Sequence, residues 1–149
     1  MRSLKALSSA VFGLLTLLLL APASVAHAQM PAYLHAISDL RSARWYLQQD
    51  TRREFMGLRQ HAIDEMSRAI DDMKQAAIDD GKNPWHTPPP QSGGNMGAPI
   101  HSALRLVIEA RNDVAHGVDP PQNRGLQFRS MKHIDEAHRA LNEILKASE

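Results

Sequence analysis

His61-Ala62-Ile63-Asp64-Glu65-Met66-Ser67-Arg68-Ala69-Ile70-Asp71-Asp72-Met73 aligns without gaps on Lys132-His133-Ile134-Asp135-Glu136-Ala137-His138-Arg139-Ala140-Leu141-Asn142-Glu143-Ile144. The two segments share Ile-Asp-Glu and Arg-Ala, and most of their other positions keep the same apolar or polar class. Apolar residues recur in both at three- and four-residue steps, the period of a helix with one buried face. The preceding segments correspond more weakly, through Ala36/Ala103, Ile37/Leu104, Leu40/Val107, Ala43-Arg44/Ala110-Arg111 and Leu47/Val114. The pattern reads as a duplicated helical hairpin. Two hairpins with one apolar stripe per helix can bury those stripes on each other. The expectation is an all-α, up-down-up-down four-helix bundle made of two tandem hairpins, with pseudo-two-fold symmetry.

Working outward, the first hairpin spans about 32–80, with helices over 32–48 and 51–79. Its inward residues are Tyr33, Ile37, Leu40 and Leu47, then Phe55, Leu58, Ala62, Met66, Ala69, Met73 and Ala76, with Ile63 and Ile70 widening the face. A linker over 81–99 contains Pro88-Pro89-Pro90 and Gly93-Gly94, which exclude helix and central strand. The second hairpin spans about 100–147. Its first helix opens at Pro99, suited to a first helical turn, and closes at His116-Gly117. Ile100, Leu104, Val107, Ala110 and Val114 face inward, as do Met131, Ile134, Ala137, Leu141 and Ile144 on the last helix. Ile63, Ile134, Leu104 and Leu141 are expected at the seam.

The first 28 residues read as a secretory signal. Arg2 and Lys5 precede a leucine-rich run over 10–20, and Ala26-His27-Ala28 offers a cleavage site before Gln29. The chain from 29 to 149 is then one domain, periplasmic or secreted, with no membrane insertion after cleavage. The leader holds two of the 17 basic residues and none of the 16 acidic ones, which leaves a formal −1 for the remainder. That balance argues against nucleic acid as a partner. There is no cysteine, which rules out disulfides, thiolate metal sites and a thiol nucleophile.

Of the eight histidines, seven follow the leader. In an up-down-up-down bundle His35 and His101 begin equivalent helices at one end, and the linker brings Trp85-His86 there. His35, His101 and His86, with Asp39 completing the shell, are the expected metal ligands, in a donor set that suits zinc, copper or nickel. No cofactor is required by any motif.

The chain resembles small exported bacterial proteins of unknown function that pair amphipathic helical hairpins and scatter histidines along them. That resemblance implies no activity. Together these features describe an exported, soluble, non-catalytic binding or interaction module, its partner a periplasmic or extracellular protein or a small ligand. Arg111-Asn112-Asp113-Val114-Ala115-His116 resembles the Arg-polar-x-x-x-His signature of HEPN-domain ribonucleases, which are also helical bundles. That resemblance implies an alternative, metal-independent RNA cleavage. In it Arg111 would stabilise the phosphate, Asn112 would orient and His116 would serve as acid and base.

Overall fold

The computed structural model describes residues 31–90, 98–117 and 123–149. The expected leader, 1–28, lies outside them. Four helices follow one another: α1 (Ala32–Gln49), α2 (Met56–Asp79), α3 (Pro99–His116) and α4 (Arg124–Lys146). The protein is an all-α four-helix bundle built from two hairpins. Among the described residues no helix is long and apolar enough to cross a membrane.

The helix ends follow local chemistry. α2 begins five residues later than the periodicity predicts. The Asp50 carboxylate turns back to accept from the Arg52 backbone N–H at 3.1 Å and from its guanidinium at 2.9 Å, and a short 3-10 turn over Arg53–Phe55 then leads into the helix. The Arg52 hydrogen bond holds the Asp50 carboxyl below its ordinary value of 3.8, against the opposing effect of burial. A carboxyl depressed in this way contributes stability above its ordinary value, and the contribution disappears as pH falls through its folded value. Arg52 is partly exposed, so the pair is worth about 0–1 kcal/mol. Asp50→Asn is therefore expected to destabilise the chain slightly at neutral pH, with the difference from wild type disappearing as pH falls through the lowered folded value of Asp50. Urea melts across an acid pH series check this. α2 ends on Gly81, whose φ of +67° is the left-handed stop that glycine accepts without strain. There the Lys82 N–H reaches back to the Ala77 carbonyl at 2.8 Å.

The most intimate neighbours are α1 with α3 and α2 with α4; the within-hairpin pairs pack less extensively. Small side chains explain this. Ala36 and Ala43 on α1, Ala103 and Ala110 on α3, Ala62 and Ala69 on α2, and Ala137 and Ala140 on α4 are all buried. Small residues at a contact shorten the interaxial distance. The closest pairs are the helices whose sequences correspond. Matching positions share burial: Met66/Ala137, Ala69/Ala140, Ile70/Leu141 and Met73/Ile144 all lie in the core. The expected charge pairs also recur, Arg68 on Glu65 and Arg139 on Glu136.

The helix directions differ from the expected up-down-up-down order. The end of α3 meets the start of α1: a Cβ on Gly117 would stand 3.3 Å from Ala32 Cβ. Arg129 of α4 pairs with Asp72 of α2 at 2.8 Å, and Arg52 reaches Ser148 at 2.8 Å, so α2 and α4 are also antiparallel. In chain order the helices run up, down, down, up. Every packed neighbour is then antiparallel, and the macrodipoles oppose. The linker makes this order reachable. α3 has 18 residues and a length of about 27 Å, which about ten extended residues can traverse. Its described part, 81–90, runs from the start of α1 to its middle as a strap. Pro84 is buried, and Arg41 Nη1 donates to Thr87 Oγ1 at 3.3 Å.

Several side chains sit differently from the sequence expectation. Phe55, Leu58, Leu104 and Met131 are only partly buried, at the rim of the core, whereas Leu106 is fully buried. The inward face of α3 is centred on Ala103, Leu106, Val107 and Ala110, because α3 packs on α1 and α4 together. Ile63, Ile134 and Leu141 are buried as expected.

Candidate functional site

α4 carries an unbroken polar stripe on its outer side: Asp135, His138, Arg139, Asn142, Glu143 and Lys146, at helical steps of three and four. Opposite lie Ile108, Arg111 and Asn112 of α3. Between the two helices runs an open groove of about 960 Å³. Arg111 Nε donates to Asp135 Oδ1 at 2.6 Å, which ties the two walls together and fixes the guanidinium at the groove. Arg139 bonds Glu136 at 2.5 Å, and that hydrogen bond raises the guanidinium pKa further, so Arg139 keeps its charge at any accessible pH. Asn142 Nδ2 donates to the His138 carbonyl at 3.0 Å and lies against its imidazole at 3.3 Å. The groove thus combines the cations Arg111, Arg139 and Lys146 with the carboxylates Asp135 and Glu143, two amides, an imidazole and one apolar contact at Ile108. Such a set can hold a polar, partly anionic ligand by charge-assisted hydrogen bonds.

The structure does not bring the expected metal ligands together. His35 lies in the first turn of α1 and His101 in the first turn of α3, and these helices run in opposite directions. The two imidazoles are therefore at opposite ends of the bundle. His86 is exposed on the strap. Asp39 is completely buried in α1, at the position corresponding to Leu106 in α3. Among the described residues no three of His, Cys, Asp and Glu gather as a metal group.

The ribonuclease-like residues are divided. Arg111 and Asn112 line the groove. His116, at the end of α3, is exposed with Nδ1 2.8 Å from the Asn112 carbonyl. The imidazole that lines the groove together with Arg111 is instead His138. Its place three residues after Asp135 is an ordinary surface spacing on one helix. Only the α3–α4 packing turns that spacing into a wall.

Two other polar clusters have structural partners. Glu65, 4 % exposed, accepts from Arg68 and from His133 Nδ1 at 2.6 Å, across the α2–α4 seam. At the bundle end the Asp80 carboxylate accepts from the Tyr33 hydroxyl at 3.0 Å and from Asn123 Nδ2 at 2.8 Å. The cavity beside this clamp, between Tyr33 and Ser130, is only about 10 Å³, room for one water at most. The α3–α4 groove, by contrast, has room for a ligand. Compared with models of known protein families, with curated proteins and with solved structures, the chain matches none.

Proposed function

We propose that the chain is an exported, non-catalytic binding module that takes a partner protein or small ligand in the α3–α4 groove. The observation that supports this reading is the groove itself, with Arg111 and Arg139 held charged beside His138, Asn142 and Ile108. These groups stand ready on rigid helices, so a ligand meets them without reordering the backbone. Export rests on the leader pattern of residues 1–28.

The ribonuclease alternative draws support from Arg111 and Asn112 opening onto the same groove. It requires His116 to leave the Asn112 carbonyl and act on a substrate held at Arg111.

The test is heteronuclear NMR of the purified chain against a set of small carboxylates, amides and short peptides. Coincident shifts at Ile108, Asn112, His138 and Asn142 are the expected result. Shifts confined to other faces would remove the groove as the site. RNA cleavage that disappears in His116→Ala would replace binding by catalysis.

A further inference from the structure

A serine in or just after a helix commonly returns its hydroxyl to the carbonyl four residues back. Two serines of this chain do so: Ser67 Oγ donates to the Ile63 carbonyl and Ser148 Oγ to the Ile144 carbonyl, both at 2.6 Å. Ser130 departs from that habit. It is completely buried in α4, and its Oγ makes no hydrogen bond among the described residues. A buried hydroxyl without a partner loses its hydration and gains nothing in return. Ser130 lines the small cavity at the bundle end, together with Tyr33 of α1, Ala76 of α2, Asp113 and Val114 of α3 and Gln127 of α4. All four helices therefore contribute to the wall. The volume is about 10 Å³, at the lower bound for one water molecule.

We infer that this cavity is the binding site of a single internal water, anchored by Ser130 and held where the four helix ends meet. Two independent observations support the site: a fully buried hydroxyl that the protein itself does not satisfy, and a space of one water's size beside it. No larger ligand fits that volume. An internal water needs two to four polar partners. The Ser130 hydroxyl supplies a donor and an acceptor. Asp113 and Gln127, on the same wall, carry acceptor oxygens for the water's own hydrogens. Gln127 Nε2 already joins α4 to α3 directly, through the Val114 carbonyl at 2.8 Å and the Gly117 carbonyl at 3.4 Å. A water bonded to Ser130 and to Asp113 adds a second link between the same two helices, one turn further along α4. The site is separate from the α3–α4 groove and does not depend on what that groove binds.

The test has two parts. A high-resolution crystal structure of the protein should show one ordered water within hydrogen-bonding distance of Ser130 Oγ. A Ser130 hydroxyl bonded directly to the Leu126 carbonyl, or no water density in the cavity, would overturn the site. In solution, oxygen-17 relaxation dispersion counts long-lived internal waters without interference from exchanging hydroxyl protons. Ser130→Ala is expected to lower that count by one relative to wild type. Ser67→Ala removes a hydroxyl that a helix carbonyl already satisfies, so it should leave the count unchanged. An unchanged count in Ser130→Ala would remove Ser130 as the anchor, and an equal fall in both variants would show that the loss is not specific to this cavity. If Ser130→Ala fails to fold, the wild-type crystal structure decides alone.

Discussion

Leu141→Ala is expected to lower the unfolding free energy by about 2–5 kcal/mol, measured by urea denaturation. Leu141 is completely buried where α4 packs on α2. Its truncation removes apolar contact and leaves a cavity that the surrounding core fills only in part. Leu104→Ala supplies the internal control. That side chain is only partly buried at the rim, so solvent already reaches it and the loss should be clearly smaller. Equal losses at the two positions would show that the packed face of α3 is centred elsewhere.

The second large effect is expected at the bundle end. Asn123, completely buried, donates from Nδ2 to Asp80 Oδ1 at 2.8 Å, while the Tyr33 hydroxyl donates to the other oxygen of the same carboxylate. Three segments meet there: the start of α1, the end of α2 and the entry to α4. Asn123→Ala leaves the Asp80 carboxylate short of a donor in a partly buried setting, at a cost of about 1–3 kcal/mol. The double-mutant cycle with Tyr33→Phe should show coupling, because both groups bond one carboxylate. Additive losses would mean that the two hydrogen bonds act independently, contrary to a shared clamp.

The sequence made the all-α class and the four helices legible because a single-faced stripe at period 3.6 can only be buried by other helices. The end of α2 at Gly81 and the end of α3 at Gly117 follow from residues that stop helices. The direction of the second hairpin was not legible. Either direction buries the same stripes, and only the pairing of Ala32 with Gly117 and of Asp72 with Arg129 decides between them. That one undetermined direction moved His101 away from His35 and dissolved the expected metal cluster. Leu104 falls at the rim for a related reason: a helix packed on two neighbours turns the midpoint of its buried face between them. The groove stayed hidden because its walls belong to two helices, and Asp135, His138 and Asn142 look on one helix like an ordinary solvated face. Arg111 stands five residues before His116 in sequence, yet its partner in space is Asp135.

The tightest seams join the helices whose sequences correspond, α1 to α3 and α2 to α4. Each hairpin therefore turns its most adhesive face toward the other hairpin rather than toward its own second helix. Joining the two in this order sets a geometric demand, because the exit of the first hairpin and the entrance of the second lie at opposite poles. The connection must span the height of the bundle, and its described part, 81–90, meets one flank only, at Arg41. Two flanks built from corresponding helices thereby become unlike, and Ile108, which corresponds to Arg41, stays exposed.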